Sequence, residues 1–134
     1  MNAPKNLSHK PIIELPNYDN IDLKFYAPRP NTDAQAISIG FSQFNNAEIT
    51  AKMWRNPNNR WSRQSEELPL HRVLDMAIFI IENLKTNTIL PQGTSIALHS
   101  KVAEIENHYR SKASEYDDRI KEIMSAIALH NSKP

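Results

Sequence analysis

One change of pattern along the chain limits its fold more than any other feature. Residues 1–68 alternate apolar and polar side chains between turn-forming prolines (Pro4, Pro11, Pro16, Pro28, Pro30, Pro57), whereas residues 69–134 run mostly at helical spacing. Strands followed by helices, rather than alternating with them, predict an α+β fold with an antiparallel sheet. At 134 residues the chain has the length of one domain. The expected layout is a single domain over 1–134, with a flexible N-terminus at 1–10 and a strand-rich part at 11–68. A first helix is expected over 69–85 and a long C-terminal helix over 94–130.

Residues 11–15 (PIIEL) read as a strand near a sheet edge, since Pro11 has no N–H for a ladder. Residues 21–26 are a weaker strand candidate. Over 36–44 a period of two puts Ile37, Ile39 and Phe41 on one face and Ala36, Ser38, Gly40 and Ser42 on the other. Asn45-Asn46 suits a tight turn. The return over 48–55 is expected to face Ile49, Ala51 and Met53 inward and Thr50, Lys52 and Trp54 outward. A turn at 56–59 then leads to a further extended stretch at 60–64. Together these make a three-stranded meander with flanking strands.

In the second half Leu70, Val73, Leu74, Ala77, Ile78, Ile81 and Leu84 fall on one helical stripe. Pro69 suits a first helical turn. Further on, Val102, Tyr109, Tyr116 and Ile123 recur every seven residues, while Ile105 leads to Ala113, Ile120 and Ile127 on a line displaced by one. That is a heptad-like seam with a stutter. Unbroken to residue 129 the helix would run roughly 50 Å at 1.5 Å per residue. A domain of this size has a radius of gyration of only about 14 Å. The helix therefore breaks or overshoots, and an overshooting seam wants a partner. The expected architecture is an antiparallel β-meander sheet packed on an amphipathic helix, plus a long C-terminal helix, in a homo-oligomer.

Composition excludes several functions. Cysteine is absent, so disulfides, thiolate zinc sites and Cys nucleophiles are ruled out. No apolar run reaches the roughly 18 residues of a membrane span, and no signal-peptide pattern opens the chain. Net charge is +1, too small for recognition of duplex nucleic acid by a global field. A cytoplasmic protein is the expectation. His9, His71, His99, His108 and His130 show no metal-ligand spacing. Neither a nucleophile elbow nor a Walker loop is present, and the two glycines cannot cradle phosphate by backbone. Neither catalytic residues, a metal nor a cofactor is expected.

What remains is side-chain recognition. Lys52, Arg55, Arg60 and Arg63 share a short stretch with Trp54 and Trp61 and no acid. Arginines beside aromatic faces suit a phosphate-bearing base, although a solvated hairpin with paired tryptophans accounts for the pattern equally simply. Phe79 sits among polar neighbours, including Asn83, away from the main helical stripe, as a stacking platform or an interface residue would. Arg110 and other charges on the last helix read as a solvated coiled-coil flank. In an oligomer, symmetry could gather copies of Arg110 into an anion pocket.

The segments AKMWR at 51–55 and RWSRQSEELPLHRVLD at 60–75, with DAQAISIG at 33–40 upstream, resemble a family of small bacterial and prophage proteins. That family includes the first type of phage-encoded Thoeris anti-defence protein. The resemblance covers roughly residues 9–85. It implies a sponge that binds cyclic ADP-ribose isomers made by TIR-domain immune enzymes and holds them without cleavage. Some members also take up cyclic oligonucleotides at separate sites of a larger oligomer. By the same resemblance Phe79 is the aromatic that stacks on the ligand base, and Arg110 is the arginine that cyclic oligonucleotides meet.

The leading expectation is thus a non-enzymatic, homo-oligomeric protein, a dimer or hexamer, sequestering a cyclic ADP-ribose isomer and possible cyclic di- or trinucleotides in the host cytoplasm. Its ligand-binding residues are expected to be Phe79, Asn83, Arg55, Arg60, Arg63 and Arg110. The alternative is a protein–protein interaction module that uses the C-terminal heptad-like helix. A third reading is an RNA-binding domain using residues 52–63, with steep salt dependence.

Overall fold

A computed structural model describes residues 1–45, 47–62, 66–85 and 91–134. The protein has an α+β fold, with a four-stranded antiparallel sheet and four α-helices among the described residues. In chain order these are β1 (Lys10–Pro16), α1 (Asp19–Tyr26), β2 (Ala34–Phe41), β3 (Ile49–Arg55), β4 (Glu67–Pro69), α2 (Leu70–Asn83), α3 (Val102–Ser111) and α4 (Ala113–Ser132). The chain divides into two compact units, Met1–Asp75 and Met76–Pro134, with the boundary inside α2.

In the first unit the strands lie in the order β1-β2-β3-β4, all neighbours antiparallel. The meander expected from the alternation is present, and β1 is an edge strand, where Pro11 is tolerated beside a register shift at Pro11/Ile13. Residues 21–26, expected as a weak strand, are helical instead. Asp19 and Asp22 sit in the first turn of α1 and Lys24 in its last, so side-chain charge complements the helix dipole at both ends. Nor does the stretch after the 56–59 turn begin a strand at Arg60: the described pairing resumes at Glu67.

The period of two holds in β2 and β3, but the covered face is the opposite of the expected one. Ala36, Ser38, Thr50, Lys52 and Trp54 are buried, whereas Ile39 and Phe41 are exposed. Register explains the inversion. Ala36 pairs with Trp54, Ser38 with Lys52 and Gly40 with Thr50, so the indole of Trp54 spreads over small neighbours. The N-terminal segment and the Trp61 turn then close over that face. Ala3, Ala36 and Trp54 form the buried cluster, with Trp61 packed against it. Within residues 1–10, expected as a flexible lead, two side chains are buried: Ala3, whose N–H donates to Glu14 Oε2 at 2.7 Å, and His9, which is 1% exposed.

Gly40 lies close against the β1 backbone. A Cβ there would stand 2.0 Å from the carbonyl oxygen of Lys10 and 2.8 Å from Pro11 Cα, both backbone atoms.

In the second unit the expected long C-terminal helix is two helices. Lys112 leaves helical geometry (φ −132°, ψ 31°) between α3 and α4. The break falls where the apolar line steps eight residues, from Ile105 to Ala113, instead of seven. Residues 94–98 are not helical, and a single 3₁₀ turn at His99–Lys101 precedes α3. Two side-chain contacts bridge the break: Tyr109 O–H donates to Asp117 Oδ1 at 2.7 Å, and His108 Nε2 lies 2.7 Å from Tyr116 Oη. Asp117 holds the Tyr109 hydroxyl above its ordinary pKa, through that hydrogen bond first and burial second. No described helix is long and apolar enough to cross a membrane.

Candidate functional site

The inward face of the sheet is polar along one cross-strand row. Glu14, Ser38, Lys52 and Glu67 stand opposite one another across β1, β2, β3 and β4, and residues directly opposite in antiparallel pairs share a face. His9 completes the row from the N-terminal segment. Its Nδ1 is 2.6 Å from Glu67 Oε2 and its Nε2 is 3.1 Å from Ser38 Oγ. Trp54 Nε1–H donates to the same Ser38 oxygen at 2.8 Å. A carboxylate only accepts, so Nδ1 carries the proton toward Glu67, and a neutral ring takes the Ser38 proton on Nε2.

Glu67 is also held by Thr50 Oγ1–H (3.0 Å), by the Gln43 N–H (3.0 Å) and by Ser42 Oγ–H (3.3 Å). Burial raises the pKa of this carboxyl, but the donors from His9, Gln43 and Thr50 outweigh it and hold the group below the usual carboxylate range. A buried charge with four donors around it is a satisfied one.

Above this network opens a cleft of about 1070 Å³, lined on its polar side by His9, Lys52 and Arg60 and on its aromatic side by Trp54 and Trp61. The two indoles meet edge to face, with centroids 5.9 Å apart. Lys52 Nζ lies 4.8 Å from the centre of the Trp54 ring, a cation–π distance. Burial lowers the Lys52 pKa, with the Glu67 and Glu66 charges opposing.

The expected ligand-binding residues do not converge. Arg60 lines the cleft. Arg55 does not reach it, because its guanidinium is occupied by Asp33 Oδ2 (3.0 and 2.7 Å) and Glu66 Oε1 (2.9 Å). Those contacts hold its pKa above the ordinary arginine value, and they tie β3 to its flanking turns instead of offering a phosphate contact. Arg63 lies outside the described residues. Phe79 and Asn83 belong to the second unit, where they border a separate apolar cavity of about 630 Å³ with Leu98, Lys101, Ile105 and His108. Phe79 is exposed, and Asn83 Nδ2–H is used on the Phe79 carbonyl oxygen at 2.8 Å. Arg110 borders a third hollow with Tyr109 and Lys85, and its guanidinium pairs with Glu106 at 3.0 Å. Arg60 is thus the one expected arginine of the described residues that shares a cavity with the tryptophans.

Sequence reasoning missed His9, Ser38, Lys52 and Glu67 as a set. His9 is 58 residues from Glu67, and no local spacing announces that pairing. A usable signal does exist: β2 and β3 carry Ser38, Thr50 and Lys52 in phase with Trp54, so a polar row travels with the largest aromatic of the strand.

Glu67, His9 and Ser38 stand in the order of an acyl-transfer triad, carboxylate to imidazole to hydroxyl. Ser38, however, is 1% exposed and does not line the cleft. Its hydroxyl is roofed by Trp54, so the relay stiffens the floor of the cleft without presenting a nucleophile to it. No cluster of three or more metal-ligating side chains occurs among the described residues.

Fold and cleft together define a small α+β protein whose sheet meander carries a tryptophan-lined, cationic cleft on a polar face. The chain belongs to the Family of unknown function (DUF6530), whose profile matches residues 1–88. That span contains the whole first unit and with it every residue named around the cleft. No curated protein and no solved structure matches the chain.

Proposed function

We propose that this protein binds and sequesters a cyclic ADP-ribose isomer in the Trp54–Trp61 cleft, without cleaving it, as a cytoplasmic anti-defence sponge. The observation that carries the reading is the convergence of two indoles, Lys52 and Arg60 on one cavity. An adenine stacks on an indole face, and each such contact contributes about 1–3 kcal/mol. A pyrophosphate is held by cations, and Lys52 and Arg60 supply two. The enclosed Ser38 hydroxyl favours retention over turnover. The Phe79 platform implied by family resemblance has no arginine among the described residues of its cavity, so the first-unit cleft is the better-matched site.

Both tryptophans of the chain border the cleft, so intrinsic fluorescence reports its occupancy directly. Titration with cyclic ADP-ribose isomers, NAD and ADP-ribose is expected to give saturable quenching by one cyclic isomer, recovered chemically intact. Trp61→Ala should weaken binding about tenfold or more, as loss of one stacking face implies. Recovery of a linear product would make the protein an enzyme. Loss of binding in Phe79→Ala with Trp61→Ala unaffected would move the ligand to the second unit.

A second reading, a protein-interaction module, draws on α4, where Ile123, Met124, Ile127 and Leu129 are all exposed. It predicts that no nucleotide quenches the tryptophans and that a peptide spanning α4 binds a helical partner.

A further inference from the structure

The cleft holds a buried cation with no hydrogen-bond acceptor for its ammonium among the described residues. Lys52 is 6% exposed, yet among the described residues its Nζ has no hydrogen-bond acceptor and no ion-pair partner. Its register neighbour Glu67 is already engaged by His9, Thr50, Ser42 and the Gln43 N–H. The ammonium lies over the Trp54 ring instead and borders the cleft. Desolvating an ammonium without an acceptor is costly, and an anion entering from the cleft would remove that cost.

We propose that Lys52 is the anion subsite of this cleft, and that it selects a singly charged phosphodiester or pyrophosphate oxygen over a doubly charged terminal phosphate. This rests on the reading that the cleft takes a nucleotide, and it deepens that reading by fixing the phosphate class. The selectivity follows from the surroundings of the subsite. Lys52 contributes one positive charge, and Glu67, ionised and opposite it in register, contributes a negative one that cannot turn away. His9 has both ring nitrogens engaged, so it has no N–H to spare for a second oxyanion. Arg60 is exposed and compensates charge at the rim only. The cost of stripping water from an ion grows with the square of its charge, while its attraction to a fixed cation grows linearly. With Glu67 offsetting part of the field of this ammonium, the attraction gained from a second negative charge is small against its desolvation cost, so the subsite favours one negative charge. The second charge of a terminal phosphate goes unmatched.

Cyclic AMP and AMP carry the same base and differ in phosphate charge at about pH 8, well above a second phosphate pKa of about 6. Tryptophan quenching is expected to show cyclic AMP binding at least about tenfold more tightly than AMP. Lys52→Met, its fold checked by circular dichroism, should weaken cyclic AMP about tenfold or more and bring the two ligands within about threefold. Arg60→Ala should weaken both alike. AMP binding as tightly as cyclic AMP to the unaltered protein, a comparison that needs no variant, would overturn the inference. So would a folded Lys52→Met that keeps the preference, or the absence of binding by either probe. Cyclic AMP binding with the expected preference while every cyclic ADP-ribose isomer fails would sink the sequestration reading and leave the anion subsite standing.

Discussion

Two residues of the first unit carry demands out of proportion to their size. At Gly40 the neighbouring β1 backbone occupies the space of a Cβ, at 2.0 Å from the Lys10 carbonyl oxygen. Gly40→Ala must push the edge strand away, an overpacking cost of about 1–3 kcal/mol, read as a lower urea midpoint with an unchanged slope. Unchanged stability would mean that β1 yields freely. Glu67 makes a different demand. Its folded pKa is depressed, so it contributes stability that is present above the ordinary carboxylate pKa and is lost as pH falls through the folded value. Glu67→Gln should cost about 2–3 kcal/mol at neutral pH, because an amide replaces the carboxylate that four donors address. The gap between variant and parent in urea unfolding should then narrow as pH drops below about 4.3. Parallel acid limbs would show that Glu67 is not the titrating group. Neither residue was legible as important in the sequence: Gly40 reads as one small residue in an alternating strand, and Glu67 reads as a charge before a helix.

At the scale of elements, periodicity was legible and context was not. Alternation in β2 and β3 separates two faces but does not say which is covered. The decision comes from the N-terminal segment, whose Ala3 and His9 fill the side bearing Trp54 and Ser38. α1 escaped because Ile21 and Phe25 are four apart in a segment too short to display a helical period against two flanking prolines. α2 was legible to within two residues at each end, since its apolar stripe needs no distant partner to be recognised. The break at Lys112 was half visible as the stutter. Across it, the Tyr109–Asp117 bond joins α3 to α4, and Asp117→Ala should release the start of α4. Backbone amides just after Ala113 are expected to exchange about tenfold faster, the equivalent of one hydrogen bond of roughly 1–1.5 kcal/mol. Exchange unchanged there would assign the stiffness of the junction to packing alone.

At the scale of the molecule, the first unit taken by itself leaves a large apolar surface uncovered. The outer face of the sheet carries two facing rows, Leu15–Ile37–Met53 and Ile13–Ile39–Ala51–Leu68 by register. Ile13, Leu15, Ile39, Phe41 and Leu68 on that face are each more than a third exposed. A contiguous apolar face of this kind on a folded protein marks an association surface, and β-sheets expose such faces to water only when polar residues line them. Here the polar row is on the inside, spent on Glu67, His9 and Lys52. The inversion that created the cleft is therefore the same inversion that turned the apolar row outward. We expect the protein to self-associate: light scattering on a size-exclusion column should give a mass at least twice the 15.4 kDa of one chain. Ile39→Glu, in the middle of the outer face, should lower that mass to a single chain while leaving tryptophan quenching by ligand intact, because Ile39 and the cleft lie on opposite faces. A 15.4 kDa mass for the unaltered protein across tens of micromolar would show that this surface is not used for association. If Ile39→Glu abolished quenching as well as assembly, the cleft would depend on the neighbouring copy, and the site would belong to the oligomer rather than to one chain.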